Sequence, residues 1–182
     1  MQGTQPLLVA NPAPKSADAF NELERLKFAQ WVLERHLGWV ASSEVKAAVI
    51  VTIDTAMLGA LATGYSALQT SERTPWANLL TWLSGGMLVA GLYCIAMAII
   101  PRLNGPKDSK IFFGCICKNA APDFQDSFQK SSANDLLTDC LAQIHRNAEI
   151  ARDKFKWVRA GMKWSFVAIL PWVAALATLI KK

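Results

Sequence analysis

The sequence has little charge and lacks the motifs of common enzymes. Charged residues make up 18% of its 182 residues, and His36 and His145 are its two histidines. No Walker A, G-x-S-x-G or GxGxxG motif occurs, and no group of His, Cys, Asp and Glu shows a recognisable metal-ligand spacing. These absences predict a protein that is not an enzyme and that holds no metal ion or cofactor.

The cysteines argue against a zinc or redox motif, and the first residues argue against a secretory signal peptide. Cys115 and Cys117 are separated by one residue, a spacing that neither zinc knuckles nor thioredoxin-like motifs use. The N-terminal residues lack the basic region with which a secretory signal peptide starts. We therefore expect reduced cysteines that serve packing, no cleavable signal peptide and a cytoplasmic N-terminus.

Long apolar segments are what the sequence does have. Apolar residues make up 52% of the chain and include seven tryptophans, which gather at membrane interfaces. Residues 47–68, 79–100 and 164–180 approach or reach the roughly 20 residues needed to cross a hydrocarbon core. The pattern predicts an all-α integral membrane protein with three transmembrane helices. Because the third segment is the shortest, an interfacial position for it is the alternative topology.

The charged segments predict helices outside the membrane. Residues 1–17 lack periodicity and predict a mobile tail. Residues 18–46 and 133–163 instead repeat apolar positions every three or four residues, which favours a cytoplasmic two-helix bundle. The first seam consists of Leu23, Leu26, Gln30, Leu33, Leu37 and Val40, and the second of Leu137, Leu141, Ile144, Ala148, Ala151, Phe155, Val158 and Met162. The second helix, the stalk of the 101–163 segment, starts near Ser132 or Asn134 as N-cap and runs without a stop into the third span.

Lysine and arginine are distributed unevenly between the two sides of the apolar segments. Five precede the first segment, one lies in the turn 69–76, and eleven lie in 101–163. Because loops rich in these residues stay in the cytoplasm, the N-terminal helix and the 101–163 segment are both predicted to be cytoplasmic. The C-terminus then lies outside, although Lys181 and Lys182 weakly oppose this placement.

Asp54 is an ionisable residue deep within an apolar segment. A charge at the bilayer centre costs roughly 2.5–3.5 kcal/mol on insertion scales, so this position favours a pore lining, a proton relay or a polar contact between helices. The structural alternative is a protonated carboxyl, or one that is bonded to Thr52 or to Ser84 of the second span.

Charged residues near the membrane boundary are candidates for a ligand site, and the basic ones could bind an anion. Glu44 and Lys46 flank the first span, where interface residues commonly extend towards water. The stalk carries a basic set that would attract an anionic ligand or lipid headgroups, or would simply hold this segment inside. This set consists of Arg146, Arg152, Lys154, Lys156 and Arg159.

Several short motifs occur in an order that is similar to a known family. An amphipathic helix and Glu44-Val45-Lys46-Ala47 lead into a span with Asp54 and Leu58-Gly59. A two-span hairpin, Phe112-Phe113-Gly114 and Ala151-Arg152-Asp153-Lys154-Phe155-Lys156-Trp157 follow. In this order, over about residues 20–180, the chain resembles the transmembrane effectors of the Pycsar antiphage system.

The resemblance implies a multi-pass protein of the bacterial inner membrane that acts in abortive infection. A neighbouring pyrimidine cyclase would make cyclic CMP or cyclic UMP, and this activating ligand would lead the effector to damage the membrane. Phosphate favours Arg or Lys, and the base favours an aromatic surface. The candidate ligand-binding residues are Glu44, Lys46, Phe113, Gly114, Arg152, Lys154, Lys156 and Trp157, although no cyclic-nucleotide-binding β-roll is recognisable. The expected partners are the lipid bilayer, the cyclic nucleotide and further copies of the chain, and they do not include nucleic acid.

Two other functions are compatible with the same pattern. The chain could be a membrane scaffold or accessory subunit that docks a partner through its cytoplasmic helices. It could also be an effector that answers to cyclic oligonucleotides. A cyclase gene beside this one would favour the effector, and a transporter or secretion operon would favour the scaffold.

Overall fold

The structure is a computed structural model that describes residues 21–69 and 73–180. Within these ranges all regular secondary structure is helical. Three helices, α1 (Glu22–Ala67), α2 (Pro75–Ile99) and α5 (Ala133–Ile180), are long and apolar enough to cross a membrane, and the short helices α3 (Phe113–Ile116) and α4 (Ala121–Gln129) connect α2 to α5. The predicted all-α membrane architecture is confirmed. The predicted tail, residues 1–17, lies outside the described residues.

Helix α1 joins the N-terminal amphipathic helix to the first apolar segment without a break. Its 46 residues rise about 69 Å at 1.5 Å per residue, roughly twice the thickness of a hydrocarbon core. Gly38 and the Ser42-Ser43 pair do not interrupt it. The buried Ser43 hydroxyl donates to the Val40 carbonyl at 2.7 Å, so this polar side chain is satisfied within the helix. One helix therefore extends from outside the membrane into it.

Helix α5 is the predicted continuous rod of stalk and third span. Its first turn is capped by Ser132 rather than Asn134, because the Ser132 hydroxyl accepts from the Asp135 amide at 3.1 Å. In return the Asp135 carboxylate accepts from the Ser132 amide at 2.9 Å, and these hydrogen bonds lower the pKa of Asp135. The helix then continues for 48 residues through Pro171. Movement at its capped end can therefore be carried into the apolar segment.

Helices α1 and α5 lie parallel to each other, and α2 packs against both in the opposite direction. The parallel direction follows from contacts whose residue numbers rise together on both helices. These contacts are Glu44 with Lys154, Asp54 with Ser165, Met57 with Trp172 and Gly64 with Leu179. Two apolar clusters fill the centre of the three-helix bundle, one around Ile95 and Val158 and the other around Leu88 and Ala168.

Two glycines allow α2 and α5 to approach closely. A Cβ atom at Gly161 would lie 2.7 Å from Ile95 Cδ1 and 3.2 Å from the Gly91 carbonyl oxygen. Small residues at such positions let helix backbones pack directly in a membrane, where dispersion contacts rather than the hydrophobic effect hold helices together. This contact fixes which face of α5 turns inward.

Within the single chain, some positions of the predicted stalk seam are buried and others are exposed. Ala151 and Val158 are buried as expected, but Leu141, Phe155 and Met162 are exposed. The buried face instead consists of Cys140, Gln143, Ala151, Lys154, Val158 and Gly161. The heptad pattern favoured the largest apolar side chains, whereas the close contact at Gly161 and polar partners for Gln143 and Lys154 rotate the helix. Burial raises the pKa of the Cys140 thiol, and the neighbouring Asp139 carboxylate adds to this shift.

The N-terminal seam is displaced in the same way. Leu26 is buried and Leu33 is half-buried, but Leu23 and Leu37 are exposed and Ala29 takes an inward position. The inward face of α1 is therefore narrower than predicted, and it consists of smaller residues. This is the face that continues into the buried Ala47 and Ile50 of the first span.

Candidate functional site

Asp54 is fully buried at the level where α1, α2 and α5 meet. The Ser165 hydroxyl donates to Asp54 Oδ2 at 2.8 Å, and Gly91 of α2 lies beside the same oxygen. The other carboxyl oxygen, Oδ1, is buried and has no hydrogen-bond partner among the described residues. A buried polar atom without a partner is costly, so this carboxyl is only partly stabilised by the contacts that the described residues provide.

The structure corrects the predicted partners of Asp54. The Thr52 hydroxyl donates to the Ala48 carbonyl at 3.0 Å, and the Ser84 hydroxyl donates to the Leu80 carbonyl at 2.8 Å. Both hydroxyls bond within their own helices, and Ser165 of the third span holds the carboxyl instead. Sequence reasoning missed Ser165, although it is the one hydroxyl-bearing side chain in the stretch 164–171.

A second polar contact links the same two helices near the predicted membrane boundary. Lys154 is 4% exposed, and its ammonium group lies 2.8 Å from Glu44 Oε1. The Glu44 side chain remains about half exposed, at 53%. The carboxylate can therefore keep part of its hydration while it neutralises a buried cation. Because its charge is compensated within the bundle, Lys154 is held by the fold rather than presented to a ligand.

Aromatic residues surround this polar contact. The Lys46 ammonium lies 5.5 Å from the centroid of the Phe155 ring, and the Trp157 ring packs edge-on against Tyr93 of α2 at 6.5 Å. Half-buried Trp157 also covers the apolar cluster around Ile95. Lys46 and Trp157 therefore flank the Glu44 contact, whereas the exposed side chains of Arg152 and Lys156 lie on another face of α5.

The segment between α2 and α5 contains a second group of predicted site residues. Phe112 packs between two glycines, since a Cβ atom at Gly105 or Gly114 would lie 2.4 or 2.5 Å from its ring. Phe113, the next residue, is 62% exposed, and its ring centroid lies 4.9 Å from that of Phe112. The glycines thus hold one aromatic ring inside the segment and present the other to solvent.

Three hydrogen bonds dock this segment onto α5. The Asp139 carboxylate accepts from the Lys110 amide at 2.7 Å, and Gln143 donates to the Ser109 hydroxyl at 2.9 Å. Arg146 donates to the Asn104 carbonyl at 2.8 Å. An ion pair between Arg102 and Asp153, at 2.7 Å, extends this contact towards the membrane boundary. Anything that displaces the segment would therefore act directly on the stalk.

Two clefts adjoin the Phe112–Phe113 pair. The larger has a volume of about 810 Å³ and lies within the segment itself. Its charged and aromatic lining includes Lys107, Asp108, Lys110, Lys118, Phe112, Phe113 and Phe124. The smaller has a volume of about 280 Å³ and lies between α1, the segment and α5, where Leu37, Arg102, Arg146 and Phe113 contribute. Both are concave sites with aromatic walls and a few polar groups, which is the usual character of small-molecule sites.

The structure brings some predicted residues together and separates others. Glu44 and Lys154 are in contact with each other, with Lys46 and Trp157 nearby. Phe113 and Gly114 belong instead to the clefts of the 101–131 segment. Sequence reasoning missed the lysines of that segment because they are dispersed along the chain. The folding of α3 and α4 gathers Lys107, Lys110 and Lys118 around one cleft.

The buried pair leads to a stability prediction. Glu44→Gln should destabilise the protein by about 1–3 kcal/mol, because it leaves the buried Lys154 ammonium without a counter-charge. Lys154→Met should cost less, since Glu44 is half exposed and can rehydrate. Unfolding of the purified protein in detergent measures both. Glu34→Gln, which removes an exposed acid from the same helix, is the control, and an equal cost for Glu34→Gln and Glu44→Gln would contradict the assignment.

Comparisons with known proteins identify the family. A model of the Pycsar effector protein domain matches residues 28–181. The Pycsar effector protein GmPycTM of Gulbenkiania mobilis is 30% identical over 67 residues, which cover 37% of this chain and 34% of that relative. No solved structure matches the chain. The family match supports an antiphage effector role, and the chain belongs to the Pycsar effector family.

Proposed function

We propose that the chain is a ligand-gated membrane effector. A cyclic pyrimidine nucleotide, cyclic CMP or cyclic UMP, binds its 101–131 segment on the cytoplasmic side of the bacterial inner membrane. The bound effector then impairs the membrane and kills the infected cell. Family membership supports the antiphage role, and the eleven Lys and Arg residues of 101–163 support the orientation. The proposed protein is a sensor and not an enzyme.

The large cleft is the proposed nucleotide site. Its Lys107 and Lys118 side chains are exposed, and neither takes part in an ion pair among the described residues. They can therefore contact a phosphate, while Phe113 and Phe124 offer surfaces for a pyrimidine ring. Lys154 takes no part in this proposal because Glu44 neutralises it.

The continuity of helix α5 from the stalk into the apolar segment is the observation that carries the proposal. The Phe112–Phe113 pair lines both clefts, and the smaller cleft also contains residues of α1 and α5. A ligand that moves the pair would change the packing of two helices that continue into the membrane. The shift requires that the nucleotide bind the damaging state more tightly than the resting state.

Gating can be measured by depolarisation of cells or vesicles that contain the protein. The wild type should be silent without nucleotide and should depolarise the membrane when cyclic CMP or cyclic UMP is added. Lys107→Gln/Lys118→Gln should raise the nucleotide concentration for half response about tenfold, which corresponds to about 1.4 kcal/mol of binding free energy.

A matched control removes the same charge elsewhere. Lys27→Gln/Lys130→Gln changes two exposed lysines that do not line the large cleft, and it should respond like the wild type. Leakage of the wild type without nucleotide would contradict gating. An unchanged response of the Lys107/Lys118 variant would show that the nucleotide does not bind in this cleft.

Asp54 is the proposed intramembrane switching contact. Asp54→Leu should insert more favourably, because an acid at depth costs a few kcal/mol, yet it should abolish nucleotide-dependent depolarisation. Thr52→Leu is the control, since Thr52 lies on the same helix and is exposed. Dye uptake measures the damage, and uptake by Asp54→Leu equal to that of Thr52→Leu would show that the carboxyl has no part in switching.

A further inference from the structure

Four basic residues form a continuous stripe on the outer face of α5. Arg152, Lys156, Arg159 and Lys163 follow one another at intervals of four, three and four residues, which places them on one side of a helix. All four are exposed. The buried face of the same helical stretch carries Ala151, Lys154, Val158 and Gly161, so the stripe points away from the bundle.

The packing of α5 against the other helices places part of this stripe below the membrane boundary. Ala47 starts the first apolar segment, Ala98 lies near the end of the second, and both pack in one cluster with Val158. Val158 therefore marks the height at which the first apolar segment begins and the second ends. Lys163 is five residues further along α5, about 8 Å deeper at 1.5 Å per residue. The hydrogen bond between Asp54 and Ser165 supports the same alignment, because Asp54 lies seven residues beyond Ala47 and Ser165 lies seven residues beyond Val158.

The deeper part of the stripe has no counter-charge within the bundle. Arg152 lies 3.6 Å from Asp153, but no ion pair among residues 21–69 and 73–180 includes Lys156, Arg159 or Lys163. The exposed residues around them, including Phe155, Met162, Trp164 and Phe166, are apolar. Cations in such surroundings must extend towards an anion or water at the interface.

We propose that this stripe binds the phosphate groups of anionic phospholipids in the leaflet that surrounds residues 154–163, here called the near leaflet. Arg and Lys pair strongly with phosphate, and anionic lipids concentrate near basic side chains at the membrane surface. Headgroups held at Lys163 would lie below the level of Ala47.

Charge and geometry favour a lipid over a second copy of the chain. Two copies in one membrane have the same orientation, so a symmetric contact through the stripe would place like charges opposite each other at the same height. The stripe is also a convex helix face and not a cleft, which disfavours a buried small ligand. Lipid headgroups bring the missing negative charge to this depth.

Boundary-lipid selectivity tests the proposal without nucleotide. The full-length protein is reconstituted in phosphatidylcholine vesicles that contain spin-labelled phosphatidylglycerol or spin-labelled phosphatidylcholine, and the motionally restricted fraction of each label is measured. The wild type should favour phosphatidylglycerol several-fold. Arg159→Gln/Lys163→Gln should lower this preference at least threefold, and Arg159→Lys/Lys163→Arg should retain it.

The control is Arg25→Gln/Lys27→Gln, which removes two exposed charges from α1 outside the apolar segment and should leave the preference intact. Three results would overturn the proposal: equal restriction of both lipids by the wild type, no effect of the Arg159/Lys163 variant, or an equal loss in the control. Because no nucleotide is present, these results do not depend on the proposed gating, and failure of gating would leave them unchanged.

Discussion

Two side-chain pairs hold α1 and α5 in one register, and the hydrogen bond from the Trp172 indole to the Met57 carbonyl, at 2.9 Å, adds to them. The Glu44–Lys154 ion pair lies near the membrane boundary, and the Asp54–Ser165 hydrogen bond lies about 15 Å further along α1 at 1.5 Å per residue. Each polar contact exists in one register only, since a slide would leave a buried Lys or Asp unpaired. This register sets the level at which the remaining residues of α1 and α5 face each other.

In the proposed gating, the Glu44–Lys154 and Asp54–Ser165 contacts are where the bundle would switch between two states. The Asp54 carboxyl has one oxygen without a partner among the described residues, and Glu44 remains half exposed. One carboxyl oxygen of Asp54 is therefore unsatisfied and Glu44 is open to water, in contrast to the apolar clusters around Leu88 and Ile95. The docked 101–131 segment bears on α5 above them through Gln143 and Arg146. A ligand needs to supply only the difference in free energy between the two arrangements.

The sequence predicted the long elements well because hydrophobicity and helix signals dominate them. The three apolar segments and the rod of α5 follow from local patterns, which also narrowed its N-cap to Ser132 or Asn134. The inward faces of the helices could not be predicted in this way. Side-chain size suggested that Leu141 and Phe155 would be buried, whereas the structure buries Gln143 and Lys154. Those positions depend on partners more than 30 residues away, at Ser109 and Glu44, which periodicity does not contain.

The candidate site also depends on partners that are distant in the sequence. The importance of Asp54 could be argued from the cost of an acid in a membrane, but its partner Ser165 lies 111 residues away. The large cleft depends on the glycines that enclose Phe112 and on the short helices α3 and α4, and these carry no periodic signal. Candidate residues such as Phe113 were found through the family resemblance, whereas Lys107 and Lys118 were visible only after folding.

The register of α1 and α5 can be measured directly at the end of the bundle farthest from the stalk. A Cβ atom at Gly64 would lie 3.7 Å from Leu179 Cβ, within the range of about 3.5–4.5 Å found in disulfides. After replacement of the four native cysteines, Gly64→Cys/Leu179→Cys should form an intrachain disulfide in membranes. Gly59→Cys/Leu179→Cys should not, since nothing lies within 4 Å of a Cβ atom at Gly59. A third segment that lies in the interface would give no disulfide in either variant, and this result would contradict the parallel packing of α1 and α5.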